Sequence, residues 1–254
     1  MKRPRVSVVL PTYNQAAMLP RQLEALNEQT FQDFELIAVN DGSTDETQSI
    51  LEAHEPAGHQ VRLLECPANS GLPAFPINTG IALAAGELWT WVSSDNWQYP
   101  RWLERLVEEI DRDPAAGAVF GAYDVFDGHE VRAYRPVPIS SGDYRLGDLA
   151  RTTDCVMGPA FLIRRDVWRA AGPHEGGCSH DYGHWLRIEE VCMVAGLKIL
   201  YVNEALCAYH VHDERVTVRR PERIDAQTFQ RAAIERRRNG TPVYLRELRK
   251  EALA

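Results

Sequence analysis

The chain has no C-x-x-C pair, no G-x-G-x-x-G, no G-x-x-x-x-G-K-S/T, and no apolar run that approaches the ~18–20 residues of a membrane span. Each absence removes a class. The five cysteines (Cys66, Cys155, Cys178, Cys192 and Cys207) are scattered and odd in number, which reads as reduced thiols in a cytosolic protein and not as a disulfide framework or a zinc site. Without the glycine fingerprints, neither a dinucleotide-binding fold nor a P-loop is supported. The first apolar run starts at Val6, which leaves no room for a signal peptide, so a cytoplasmic protein is expected. An excess of basic charge is also missing. The formal net charge of −8 argues against a nucleic-acid partner. That charge is uneven: from Asp213 to Ala254 there are eleven Lys/Arg against seven Asp/Glu, a basic tail on an acidic body.

What is present is a regular alternation of strand and helix patterns over the first hundred residues. Arg5–Leu10 is apolar enough for a buried strand and is expected to stop at Pro11, which cannot donate to a ladder. Asn14 is placed to cap a helix carrying Leu19, Leu23 and Leu26. Phe34–Val39 is a second strand, followed by a helix with Ile50 and Leu51. Val61–Leu64 is a third strand, and Ile77–Ala85 a helix with Pro76 in its first turn. A fourth strand, with Leu88, Trp89, Trp91 and Val92, ends in Ser93-Ser94-Asp95-Asn96. The order β-α-β-α-β-α-β predicts right-handed crossovers and a mainly parallel sheet. Further on, a helix spans Leu103–Ile110 and strands cover Ala118–Ala122 and Phe161–Ile163. A hairpin turns at Asp127-Gly128, a helix opens at His180-Asp181, and a strand follows Gly196. Pro136–Asp148 reads as a loop able to cover a site.

Chemistry-bearing side chains gather where these strands end. In open α/β sheets, ligands sit beyond the carboxyl ends of the strands. Tyr13 and Asp41 follow the first two strands. An aromatic ring stacks on a base, and a carboxylate accepts from a base N–H or a ribose hydroxyl. Asp95 is a carboxylate delivered by a rigid strand, suited to a hard divalent cation, Mn²⁺ or Mg²⁺. Asp181, at a helix N-terminus, is a candidate general base. His210 and His212, two apart after a strand, could share a ligand. The same residues have ordinary uses: Asp41, Asp95 and Asp181 as helix caps, Tyr13 packed on the first helix, the histidines as solvated side chains.

Taken together these segments resemble the family-2 glycosyltransferases of GT-A fold. The resemblance runs from Val6 to about Thr217. It rests on Val6–Asn14, Val39–Asp45, Asn69-Ser-Gly71, Asn78-Thr-Gly80, Ala85-Gly-Glu87, Ser93–Asn96, Gly158–Arg165, His180-Asp181, Trp185-Leu-Arg187 and Tyr209–His212, in that order. It implies a Rossmann-like, mainly parallel mixed sheet flanked by helices, in one domain over 1–217. The nucleotide-binding half would be 1–98 and the acceptor-binding half 99–217, with a C-terminal helical extension at 218–254. It implies an inverting transfer of a sugar from a nucleoside diphosphate, UDP foremost, to a glycan or lipid-linked acceptor. Pro11, Thr12, Tyr13, Asp41, Asn69, Ser94 and Asp95 would hold the nucleotide, and Asp95 and His212 the metal. Asp181 would be the base, with Gly158, His180 and Trp185 on the acceptor side.

Three positions depart from the family pattern. Ser93 replaces the first Asp of D-x-D, His180 replaces the acid before the base, and Ile77 stands where relatives carry a basic residue. Two other classes stay in view: a sugar-nucleotide-binding scaffold with a degenerate D-x-D, and a nucleotidyltransferase, which would need a basic glycine-rich loop that the first strand lacks. Trp97 and Trp102 are candidates for a sugar-stacking platform, and Trp89 and Trp91 are expected in the core. The basic tail, read as helices at Pro221–Arg238 and Pro242–Leu253, would pack on the body or a homodimer partner. Its alternative is anionic lipid at the inner face of the membrane, as a peripheral contact.

Overall fold

A computed structural model of the chain describes residues 3–134, 144, 157–175 and 180–212. The expected tail helices, most of the Pro136–Asp148 loop, Cys155 and Cys178 lie outside the described residues. The first half is β1 (Val6–Thr12), α1 (Leu19–Asn27), β2 (Phe34–Asn40), α2 (Thr47–Glu52), β3 (Gln60–Glu65), α3 (Ala74–Leu83) and β4 (Leu88–Trp91). The second is β5 (Trp97–Gln98), α4 (Trp102–Arg112), β6 (Ala116–Phe126), β7 (Val131–Tyr134), β8 (Phe161–Arg164), α5 (Arg165–Ala171), α6 (His180–Ala195) and β9 (Lys198–His210). Among the described residues these strands form one mixed sheet in the order β3-β2-β1-β4-β8-β6-β9-β5, with β7 paired to β6. It is parallel across β3-β2-β1-β4 and again between β6 and β9. Antiparallel pairing enters where β8 inserts and at β5 and β7.

The apolar runs are strands because both faces of the sheet are covered. All seven residues of β2 are buried, as are Leu88, Trp89 and Thr90 of β4. On one face Leu19, Leu23 and Leu26 of α1 and Trp102, Leu103, Leu106 and Ile110 of α4 pack on Val8, Leu10 and Leu36. On the other, Val167 and Trp168 of α5 and Trp185 and Ile188 of α6 pack on Trp89, Phe120 and Phe161. Helix α3 lies close to the sheet at Gly80, where a Cβ would stand 2.4 Å from Val9 Cγ1. Among the described residues no helix is long and apolar enough to cross a membrane.

Some local expectations change. The β1 strand passes through Pro11 to Thr12, paired with β2 throughout. In a parallel strand, alternate residues direct their backbone bonds to opposite neighbours. Val9 O accepts from Val92 N on the β4 side, so Pro11 also faces that side, beyond the point where β4 leaves; its missing N–H interrupts no ladder. Helix α1 starts at Leu19, after a turn, with no side-chain cap, and Asn14 takes a left-handed conformation (φ 51°) for another purpose described below. Ala118–Ala122 and Tyr123–Phe126 are one eleven-residue strand, β6, because β9 pairs along its whole length.

At the entry end of the sheet a buried carboxylate joins four segments. Glu35 Oε1 accepts from the Ser7 hydroxyl (2.6 Å) and the Ala85 N–H (2.7 Å), and the Arg62 guanidinium lies 3.4 Å from Oε2. The Ser7 hydroxyl in turn accepts from Gly86 N (2.8 Å). Nearby, His59 is buried against Phe34 with ring centroids 4.3 Å apart, and neither ring nitrogen has a hydrogen-bond partner. Burial, with His54 alongside, holds its pKa down to about 4. The folded state therefore keeps this ring neutral where the unfolded chain would protonate it. The stability it contributes is complete above about pH 6.5 and is lost as pH falls toward 4. Denaturant titrations from pH 7 to pH 4 should show a loss of about 2 kcal/mol in wild type, after allowance for solvent screening, that His59→Leu does not show. Equal slopes for the two proteins would place the proton elsewhere.

Candidate active site

The strand order reverses between β1 and β4, and the loops leaving these strands face each other across the switch point. Those after β1 and β2 are bonded into one surface. Asp41 N donates to Thr12 O (2.8 Å), Asn14 N to Ser43 Oγ (3.0 Å), and Thr44 N to Asn14 Oδ1 (2.8 Å). This last bond is why Asn14 adopts φ > 0: it binds the neighbouring loop and caps no helix. Asp45 accepts from Ala16 N (3.1 Å) and Thr47 N (3.0 Å); burial opposes its ionisation, but these bonds outweigh it and hold its carboxyl below the usual range. Tyr13 projects from this surface, 42% exposed, and is not packed away on α1.

Asp41 is the centre of the group. It is only 3% exposed. Its Oδ2 accepts from Ser70 Oγ (2.7 Å), Ser70 N (3.1 Å) and Asn69 Nδ2 (3.1 Å), so it is no cap for α2. Its Oδ1 is buried with no hydrogen-bond partner, as is the Thr12 hydroxyl. A buried carboxylate oxygen with no donor is costly unless something else supplies one. Burial and the Asp41 charge together push the nearby Cys66 thiol up. Gly42 (φ 70°) makes the turn possible: a Cβ there would lie 2.5 Å from the Ala68 carbonyl carbon. Asn69 acts through Asp41, since its amide bonds to that carboxylate and its Oδ1 accepts from Gly71 N (2.9 Å).

Across the switch point, β4 ends in Ser93–Asn96. The chain then enters β5 and not a helix, which removes the capping role for Asp95. The Ser93 hydroxyl donates to Asp95 Oδ1. Asp95 Oδ2 lies 3.1 Å from His212 Nε2, a contact between residues 117 positions apart. Asn96, which sequence reasoning had only as part of the motif, makes the second tie: its Oδ1 accepts from His210 N (2.9 Å). The Asp95 and His212 side chains are 19% and 11% exposed, reachable from solvent but held. The Asp95 carboxylate suits Mn²⁺ or Mg²⁺, ions that take one or two carboxylates and fill the rest of their shell with phosphate oxygens and water, and the imidazole nitrogen beside it is a donor that Mn²⁺ accepts more readily than Mg²⁺. Among the described residues no group of three or more His, Cys, Asp or Glu could hold an ion alone, so a cation here would need such outside ligands. Ser94 is buried beside this pair in sequence.

On the second face, Asp181 is in the first turn of α6, half-buried, and accepts from Tyr182 N (2.8 Å). His180 is the first residue of that helix. Trp185 is 3% exposed and stands edge-on to Phe161, which makes it core beneath Asp181. Gly158 has φ 54°, and a Cβ there would meet the Tyr123 ring at 2.6 Å, so it sets a turn against that ring. Of the tryptophans, Trp89 and Trp102 are buried. Trp97 has the Arg21 guanidinium 3.2 Å over its ring, so one face of that ring is covered.

Comparison with known proteins agrees with this architecture. The sequence model described as Glycosyl transferase family 2 matches residues 7–171, and the chain belongs to that family. It is similar to Glycosyltransferase GlyA of Streptococcus pneumoniae, 33% identical over 82% of this chain and 30% of that one. It is also similar to GlyG of the same organism, 38% identical over 49% of this chain and 42% of that one. The chain spans from 32% to 66% of the length of the first curated relatives it matches. Among solved structures, S. aureus TarS 1–349 in complex with UDP-GlcNAc has a TM-score of 0.69 at 22% identity, covering 83% of this chain and 60% of that one. The mannosyltransferase PcManGT of Pyrobaculum calidifontis, in complex with GDP-Man and Mn²⁺, has 0.69 at 23%, over 92% and 65%. These likenesses establish the GT-A fold. Gly42→Ala should cost about 1–3 kcal/mol, read as a lowered Tm, because it adds both left-handed strain and a backbone clash. An unchanged Tm would mean that the 40–45 loop relaxes freely.

Proposed function

We propose that the chain is a metal-dependent inverting glycosyltransferase that moves a sugar from a UDP-linked donor to a hydroxyl of a glycan or lipid-linked sugar. The observation that carries this reading is the Asp95–His212 pair, assembled at the switch point opposite the donorless oxygen of Asp41. The nucleoside lies over Pro11, Thr12 and Tyr13. Asp41 Oδ1 accepts from a base N–H or ribose hydroxyl, with Asn69 and Ser70 holding the carboxylate in place. Ser94 and Asp95 face the diphosphate. Asp95 and His212 would hold Mn²⁺ or Mg²⁺, which supplies positive charge to the diphosphate as it leaves. Asp181 takes the acceptor proton while the acceptor oxygen attacks the anomeric carbon and the bond to the diphosphate breaks. One displacement with no protein nucleophile inverts that carbon, as single-displacement sugar chemistry does. His180 and Gly158 border the acceptor, and Trp185 supports Asp181 from below. The UDP-GlcNAc and GDP-Man complexes of the structural neighbours support a sugar nucleotide as donor.

Calorimetry with UDP, GDP and CDP, each with and without Mn²⁺, tests the donor side. UDP binding is expected to need Mn²⁺ and to fall at least tenfold in Asp95→Ala. Metal-independent binding, or none, would favour the scaffold with a degenerate D-x-D. On the acceptor side, Asp181→Asn should lower kcat by about 10²–10⁴-fold while UDP affinity stays within twofold. Loss of both together would remove Asp181 from the role of base.

A further inference from the structure

His212 stands two residues beyond the last residue of β9. Its backbone neighbour Val211 donates to Phe126 O (2.7 Å), and its ring stands between the Asp95 carboxylate and the His210 ring. The expectation that His210 and His212 share a ligand does not fit the arrangement. The His210 ring turns into an aromatic group, 5.2 Å from the Phe126 ring centroid and 6.2 Å from that of Trp97, and lies 4.9 Å from the His212 ring at a 36° tilt. Trp97 is packed edge-on against Phe126 at 5.4 Å. One face of Trp97 is covered by Arg21 of α1, whose guanidinium carbon is 3.2 Å from the ring centroid. A continuous stack therefore runs from the surface of α1 to the carboxylate: Arg21, Trp97, His210, His212, Asp95.

We infer that His210 is a positioning residue for the metal pair, and that Trp97 and Arg21 serve it by fixing the His210 ring from behind. This rests on the donor-site reading above. Rings packed at 5–6 Å with oblique planes restrain one another's rotation, and His210 N is separately pinned to Asn96 in the Asp95 loop. His210 thus acts twice where the end of β9 meets the end of β4: its backbone, bonded to Asn96, fixes where the chain passes, and its ring packs on the imidazole that meets Asp95. Residues that orient a metal ligand change metal affinity by about 10–100-fold when removed. The role asks for a flat ring at position 210, not for a nitrogen. Arg21 lies outside every motif, so only its place over Trp97 points to it.

The test is Mn²⁺ affinity in the presence of UDP, with unbound Mn²⁺ measured by electron paramagnetic resonance. His210→Ala should weaken Mn²⁺ about tenfold, and His210→Phe should retain wild-type affinity within about threefold. Arg21→Ala, at an exposed position that does not threaten folding, should weaken it about two- to threefold, with Arg21→Lys restoring less than half of that loss. In a His212→Ala background, His210→Ala should have no further effect, since there is no ring left to orient. Three results would overturn the inference: an effect of His210→Phe as large as that of His210→Ala, which would make His210 a ligand itself; full additivity of the His210 and His212 substitutions; or unchanged affinity in both His210→Ala and Arg21→Ala. If wild type itself does not hold Mn²⁺ with UDP, the donor-site reading falls and takes this inference with it. Wild-type binding with indifferent His210 and Arg21 variants overturns this inference alone.

Discussion

The contact on which the site depends is the one between Asp95 and His212. It joins the end of a central strand to the end of the last described strand, residues that the chain separates by almost half its length. Such a contact needs β9 to arrive in the right place, and that is arranged by the long pairing of β6 with β9 and by the bond from His210 to Asn96. Register shifts along the β6–β9 ladder, between Gly121 and Ala122 and between Ala122 and Asp124, turn the far end of that pair. Without that turn, a straight thirteen-residue strand would carry its tip elsewhere.

Two buried carboxylates at opposite ends of the sheet show how the same group is used for different ends. Glu35 accepts from Ser7 and Ala85 through Oε1, and its Oε2, which has no hydrogen bond, has the Arg62 guanidinium 3.4 Å away, so this carboxylate holds strands β1, β2 and β3 and the entry to β4 together. Asp41 is also held through one oxygen, by Ser70 and Asn69, but among the described residues no cation stands beside its buried, donorless Oδ1. A fold does not leave a buried acceptor so without cost. The difference between the two is the physical basis for reading one as architecture and the other as a place for a ligand.

The insertion of β8 between β4 and β6 divides the sheet chemically as well. On the β1–β4 side the parallel strands deliver their loops to one edge, which gathers Thr12, Asp41 and Asp95. On the other side α6, packed over Phe120 and Phe161, delivers Asp181 from a helix start. A transfer between two bound partners suits this division, because each is presented by a different type of element.

Much of this was legible in the sequence. The apolar runs of β1, β2 and β4, the leucines of α1, and the polar clusters at the strand ends determined the alternating order and the end of the sheet where polar side chains gather, since burial on both faces and abrupt loss of apolar character are local properties. Asp41, Asp95 and His212 were singled out on those grounds and on family resemblance. What the local pattern misjudged was anything decided by a neighbour distant in sequence. Pro11 continues a strand because β4 ends early; Asn14 binds a loop instead of capping a helix; Trp97 is covered by an arginine from α1; Trp185 is core. Nor did any local signal mark Arg21, or Glu35 as a junction of four segments. The sequence by itself determined which polar and titratable side chains stand at the strand ends and at the start of a helix. The tertiary structure alone decided which of them meet, because hydrogen bonds and ring contacts act over a few ångströms, and only the sheet's pairing brings residues 95 and 212 within that distance.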